Sequence, residues 1–257
     1  MKTGYHVVYA RDYFEGIADA RKFCFDFAQF ELGVPAYYLD GLSPARLNEI
    51  REYAEGNGVE LTFHAPGDNV SLFADYPCVR KGNLEQFKRI LEKANFLRAR
   101  HMTVHAGDTS AFKKSGQQSE DDFLRAHAKY YEDVLYENLL EVISHAGDVL
   151  ICLENYHLNG IIMRAAQRLI DEGRGLYLTL DVAKPYDYDF YRRNKNVIRE
   201  MHIHDINPAI GRSHQTVGTG NVDFAFFKQF YGPDVYLNFE VRPVQEAAKS
   251  KLALEAL

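Results

Sequence analysis

The chain has 257 residues, 46% hydrophobic and 26% charged, enough to bury a sizeable core without disulfides, which excludes a disordered chain and a small stapled scaffold. Thirty Lys and Arg against 36 Asp and Glu give a net charge of −6, so there is no broad basic footprint for nucleic acid. Cys24, Cys78 and Cys152 are odd in number and far apart, the pattern of reduced thiols in a cytoplasmic protein rather than of a disulfide framework.

The amino terminus meets Arg11, Asp12 and Glu15 before any apolar stretch long enough for a signal peptide. No window reaches the roughly 18 apolar residues of a membrane span. A soluble cytoplasmic protein with no membrane partner is expected.

Short apolar runs then alternate with segments of helical period. In chain order the runs are Tyr5–Ala10, Phe25–Leu32, Leu61–Ala65, Met102–Ala106, Leu150–Asn155, Leu176–Asp181, Met201–Asp205 and Val235–Val241. Eight such runs leave about 32 residues for each strand and helix, the size of a right-handed crossover unit. No linker or internal repeat divides them. The expectation is an α/β fold, one eight-stranded (β/α)8 TIM barrel, with residues 1–257 forming a single domain.

The intervening segments carry helix signals. SPARLNEIREYAEGNG sets Ser43 as a cap, Pro44 at the first helical position, Leu47, Ile50 and Ala54 at helical spacing, and Gly56 and Gly58 as stops. RKGNLEQFKRILEKANFL behaves likewise, and FLRAHAKYYEDVLYENLLEVISHAG is the longest helix, with His127 and His145 as surface or capping residues. The weak pattern from Asp187 to Asn196 predicts a short sixth helix.

Side chains alternate across a strand, so one set faces the helices and the other the barrel axis. Leu61 and Phe63 oppose Thr62 and His64; Met102 and Val104 oppose Thr103 and His105; Ile151 and Leu153 oppose Cys152 and Glu154. The series continues with Thr179 and Asp181, His202 and His204, and Asn238 and Glu240 on the polar face. Six consecutive strands therefore aim a metal-ligand residue type at the axis near their carboxyl ends, where barrel active sites lie. Three carboxylates and several imidazoles buried around one axis would cost several kcal/mol per uncompensated ion, and a divalent metal turns the same cluster into a favourable site.

At these residues the sequence resembles the xylose isomerase-like barrel superfamily, in particular the group containing endonuclease IV and the sugar isomerases and epimerases. FHAPGDNVSLFADYPCVR resembles its third-strand segment, VHAG its fourth, LEN its fifth, LTLDVAKP its sixth, MHIHDIN its seventh and NFEV its eighth, with SHQTVGTGNVDF similar to the histidine and GxG segment between the last two. The resemblance implies that Glu154, Asp181, His202 and Glu240 form a central metal site, and that His64 and His105 join Glu154 around a second ion. It favours His202 over His204 as ligand, leaving His204 beside it. Mixed imidazole and carboxylate ligands suit zinc, manganese or iron better than magnesium; zinc or manganese, as one or two ions, is the expectation.

The departures matter for function. Endonuclease IV-like members build a third metal site at positions that here read Lys184, Arg212 and His214, so two ligand positions carry cations. The loop GVPAYYLDGLSPARL also has no basic cluster interleaved with aromatics for gripping a DNA backbone. Tyr37 and Tyr38 either cover a small ligand or pack in the loop.

The leading expectation is thus a metal-dependent isomerase or epimerase of a small sugar, sugar acid or related ketose, with Glu154 and Glu240 moving the proton next to a carbonyl. Lys184, Arg212, His214 and His204 would contact substrate oxygens, with Glu31 as a hydroxyl acceptor and His157 as a further contact. The alternatives are an endonuclease IV-like two-metal phosphoester hydrolase and a non-catalytic metal- or sugar-binding barrel. Nucleic acid is disfavoured as a partner, and homo-oligomerisation is left open. Gly218-Thr-Gly220 lacks the context of a dinucleotide fingerprint and reads as a turn closing the seventh loop.

Overall fold

Eight parallel strands close into a barrel in the computed structural model of the chain, which describes residues 1–67, 70–107, 117–207 and 211–257, with the backbone only for 117–125. The strands are β1 (Lys2–Val7), β2 (Phe27–Glu31), β3 (Glu60–His64), β4 (His101–Val104), β5 (Leu150–Glu154), β6 (Leu176–Asp181), β7 (Ile198–Ile203) and β10 (Tyr236–Phe239). Strands β1 to β7 are neighbours in order, and β10 pairs with β7 on one side and β1 on the other. Between β7 and β10 a short antiparallel ribbon, β8 (Asp205–Asn207) with β9 (Arg212–Gln215), stands apart from the barrel sheet.

The helices are α1 (Tyr13–Lys22), α2 (Pro44–Asn57), α3 (Pro77–Phe96), α4 (Gln117–Ser144), α5 (Gly160–Asp171), α6 (Tyr188–Arg193), α7 (Phe224–Phe227) and α8 (Val244–Glu255). The expected α/β barrel is therefore the observed architecture. No helix among the described residues is long and apolar enough to cross a membrane.

Most local signals act as read, although Gly56 lies inside α2 rather than stopping it. Ser43 Oγ accepts from Arg46 N at 3.2 Å, Pro44 opens α2, and Gly58 ends it in the left-handed region at φ 66°. Leu47, Ile50 and Ala54 lie on the buried face of that helix, and truncating Ile50 to Ala would cost about 2–5 kcal/mol. Asp12 caps α1 by accepting from Glu15 N at 3.0 Å, and Asn159 caps α5 through Ile161 N and Ile162 N. The sixth helix is short, as its pattern predicts.

Five strands differ from the sequence reading by one or two residues at an end, β6 matches it, and the larger differences are these. The first strand is Lys2–Val7 rather than Tyr5–Ala10, because the chain must turn before the Asp12 cap and leaves Tyr9 76% exposed. The seventh begins at Ile198 rather than Met201. Asp205, read as the end of the seventh strand, opens the ribbon strand β8, and the SHQTVGTGNVDF segment begins inside its partner β9. Asp68 and Asn69 of the FHAPGDNVSLFADYPCVR segment lie outside the described residues.

Candidate metal centre

The outward faces of the strands bury Leu61, Phe63, Met102, Val104, Ile151, Leu153, Leu178, Leu180, Met201 and Ile203 against the helices, which drives the other set of side chains onto the axis. His64, Glu154 and Asp181 are the last residues of β3, β5 and β6, and His105, His204 and Glu240 directly follow β4, β7 and β10. His202 lies within β7. All converge at the carboxyl mouth of the barrel.

Glu154 is the hub. Its Oε2 lies 2.9 Å from His105 Nε2, 3.2 Å from His64 Nε2 and 3.6 Å from His202 Nδ1, and its Oε1 lies 2.5 Å from Lys184 Nζ. Asp181 Oδ2 is 3.0 Å from the same ammonium, and Oδ1 is 3.1 Å from His204 Nε2. Asn155, next to Glu154, accepts from Asp181 N at 2.7 Å and donates to Asp181 O at 3.0 Å, which fixes the end of β6 beside β5. Glu240 Oε1 lies 3.4 Å from His202 Nδ1 and 3.0 Å from His6 Nδ1, while Oε2 lies 3.6 Å from His214 Nδ1.

Burial works against charge on these carboxyls, and the surrounding cations outweigh it. His202, His105 and Lys184 hold Glu154 well below the usual carboxylate range, His204 and Lys184 lower Asp181, and His202 and His6 hold Glu240 well down. His202 is pushed the other way: burial opposes its charge, but Glu240, Glu154 and Glu200 raise it well above an ordinary histidine. His214, with burial as the main cause, is lowered to about 4 and is neutral at pH 7.

Histidine and carboxylate ligand atoms lie within 4.8 Å of one another in three groups among the described residues. They are Glu154, Asp181 and His202; His64, His105 and Glu154; and His204, His214 and Glu240. His202 is fully buried, yet neither ring nitrogen makes a hydrogen bond, and its Nδ1 is left among Glu154, Asp181 and Glu240. An orphaned imidazole nitrogen amid three buried carboxylates fits a divalent cation. His204 has the geometry of a support: its Nδ1 accepts from His214 N at 3.1 Å, which leaves the Nε2 proton to face Asp181.

The other anticipated residues divide. Glu31 lies 3.2 Å from His64 Nδ1 and 3.4 Å from His6 Nε2, and Gly33 N donates to it at 2.8 Å. Burial is overcome by His64 and His6, and its pKa falls to about 2, so Glu31 is an ionised acceptor engaged with two histidines. Arg212 is exposed on β9, and His214 sits on the same ribbon with φ 55° and its Nδ1 donating to Glu240 O at 3.0 Å. Tyr37 is fully buried and donates to Ala10 O at 2.5 Å, so it packs rather than covers a ligand. Tyr38, 51% exposed, lines a crevice of about 200 Å³ with Leu32, Gly33 and Pro66. His157 forms an edge contact with Tyr156, which stacks on His105 at 4.1 Å and lies under the Lys184 ammonium. His127 is exposed on α4, and His145 Nδ1 lies 2.8 Å from Glu141 O at the end of that helix.

Sequence reasoning missed His6, His101, Glu200 and Arg242. His101 and Glu200 sit in the alternation already identified, one step toward the amino ends of β4 and β7, and extending the period backward would have found them; His6 lies near the carboxyl end of β1, inside the first run. Arg242 Nη2 lies 3.1 Å from His6 Nδ1.

The fold and site define an α/β barrel whose mouth gathers carboxylates and imidazoles around one centre. The family model for xylose isomerase-like TIM barrels matches residues 17–254, and the chain belongs to that family. Among solved structures it is similar to a D-tagatose 3-epimerase-like protein, at 20% identity and TM-score 0.76 over 100% of this chain and 96% of that one. It is also similar to the Escherichia coli 3-keto-D-glucoside 4-epimerase YcjR, at 19% and 0.71 over 100% of both chains. A third is the IOLI protein with a bound zinc atom, at 16% and 0.73 over 99% of this chain and 98% of that one. At such identities these likenesses establish the shared barrel, and the chemistry must be argued from the site.

Proposed function

We propose that this protein is a divalent-metal-dependent isomerase or epimerase of a small sugar, sugar acid or related ketose. The observation that carries the reading is the approach of two buried carboxylates, Glu154 and Glu240, to the same unpaired nitrogen, His202 Nδ1, at 3.6 and 3.4 Å. Glu154, Asp181, His202 and Glu240 would hold the ion. A zinc or manganese ion bound there supplies Lewis-acid polarisation of a carbonyl and its neighbouring hydroxyl.

The rest is done by side chains. One of Glu154 and Glu240 takes the proton from the carbon beside the carbonyl. If the other, having taken up a proton from water or a substrate hydroxyl, delivers it to the opposite face of the same carbon, the product is an epimer; if the first returns its proton to the adjacent carbon while the hydroxyl proton passes to the former carbonyl oxygen, the product is an isomer. Lys184 donates to a substrate oxygen, and His214, neutral at pH 7, offers Nε2 to a substrate hydroxyl while its Nδ1 proton stays on Glu240 O. The likeness to an epimerase-like protein and an epimerase, and the zinc of a third similar structure, support the class and the metal. We take residues 1–257 to work as one domain in the cytoplasm, a setting that suits the free thiols of Cys24, Cys78 and Cys152.

A second reading, phosphoester hydrolysis with two ions, is favoured by His64 and His105, which meet Glu154 Oε2 at 3.2 and 2.9 Å and could share it with a second ion. The test is product analysis. Protein supplied with manganese or zinc is incubated with ketohexoses, ketopentoses and sugar acids, and the mixtures are separated by chromatography. A new epimer or isomer is expected; release of phosphate from phosphoesters with no rearranged sugar would contradict the proposal.

A further inference from the structure

Below the centre, two residues before His202 on β7, Glu200 is fully buried on the barrel axis. Its Oε1 accepts from Gln29 Nε2 at 2.7 Å and lies 3.2 Å from His101 Nε2. Its Oε2 accepts from the Thr103 hydroxyl and lies 3.3 Å from His202 Nε2. Gln29 is in turn held by Asn238 Nδ2, which donates to its Oε1 at 2.6 Å. Side chains from β2, β4 and β10 thus fix this carboxylate in a place that water does not reach.

His202 stands between two sets of acids. Nδ1 faces Glu240 and Glu154, while Nε2 faces Glu200. A metal can ligate only a nitrogen without a proton, so binding displaces one proton from His202 and the other nitrogen keeps its own. A carboxylate on the far side decides which nitrogen that is.

We infer that Glu200 is a positioning residue: it keeps the His202 proton on Nε2 and so turns the Nδ1 lone pair toward the centre formed with Glu154, Asp181 and Glu240. Glu200 itself touches neither ion nor substrate. This inference rests on the metal-dependent reading above. The donors from Gln29 and Thr103 serve the same end by holding the carboxylate where it meets Nε2 rather than letting it rotate away.

Zinc affinity, measured by chelator competition on the full chain, tests it, together with histidine nitrogen resonances of the zinc-loaded protein. Wild type should bind zinc with His202 ligated through Nδ1 and protonated at Nε2. Glu200→Gln keeps the size of the side chain but removes the charge, and should weaken zinc binding by about 10- to 100-fold. Glu200→Asp, which keeps the charge but withdraws it, should fall between. If Glu200→Gln does not fold, Thr103→Val removes one donor only and should still weaken zinc binding, by a few-fold. Variants that bind zinc as tightly as wild type, with His202 still ligated through Nδ1, would overturn the inference alone. A folded wild type that takes up no zinc or manganese would overturn the metal-dependent reading and the inference together.

Discussion

The Lys184 ammonium bridges Glu154 and Asp181, at 2.5 Å from Glu154 Oε1 and 3.0 Å from Asp181 Oδ2. Both acids belong to the group that also contains His202. The lysine therefore supplies positive charge at the place where a divalent ion would draw on the same oxygens. Burial disfavours its charge, but Glu154 and Asp181 raise its pKa, so it stays protonated.

Replacing Lys184 by Met should have two opposed effects. Zinc binds tighter, by about tenfold or more, because a competing cation has gone from two ligands. Turnover of any carbohydrate substrate falls, because a donor to its oxygens has gone. Chelator competition and steady-state kinetics on one preparation read both; weaker zinc binding in Lys184→Met would show that the lysine supports the ion rather than competing with it.

The metal-free protein should lose stability as pH rises from about 6.5 to about 9. Burial lowers the pKa of His64, Glu31 and Glu154 more than compensate, and it stands at about 9, against about 6.5 in the unfolded chain. A raised folded pKa gives stability that is complete below the unfolded value and is lost as pH climbs through the folded one, here on the order of 3 kcal/mol. His202, also raised, acts in the same direction. Thermal melts in chelator across that window should fall, and Glu31→Gln should flatten the fall; melts that rise with pH would contradict the assignment.

Asp205 should prove a structural anchor of the ribbon that carries His214. Its buried carboxylate accepts from Ile206 N, Gly218 N, Gly220 N and Val222 N at 2.8–3.0 Å, so the GTG turn wraps around it. Asp205→Ala leaves those amides without their acceptor and should cost about 2–4 kcal/mol in urea unfolding. A Cβ on Gly220 would lie 2.2 Å from Ile206 O, so Gly220→Ala should destabilise as well. A change below about 0.5 kcal/mol in Asp205→Ala would refute the anchor.

Much of this was legible in the sequence because a barrel strand obeys a simple alternation. His64, His105, Glu154, Asp181, His202 and Glu240 stand where that alternation puts them, since apolar partners such as Phe63, Leu153 and Ile203 force them inward. Glu200, His101 and His6 escaped because each lies at or before the start of the apolar run as read, or within a run whose boundary was set too late. The engagement of Glu31 with His64 and His6 joins three neighbouring strands, and that of Arg242 with His6 depends on barrel closure between β1 and β10. Tyr37 was ambiguous because a buried tyrosine in a loop reads like an exposed one until its hydroxyl is seen to meet Ala10 O.

The most direct test of the account is hydrogen exchange at substrate carbon. Protein loaded with manganese or zinc is placed in deuterated buffer with a panel of ketoses and sugar acids, and deuterium incorporation beside the carbonyl is followed by NMR. The account predicts incorporation that needs the metal, is abolished in Glu240→Gln and is accompanied by rearranged sugar. Exchange that survives in Glu240→Gln, or none in any substrate while abasic duplex DNA is cut in a reaction lost on His64→Ala and His105→Ala, would contradict it.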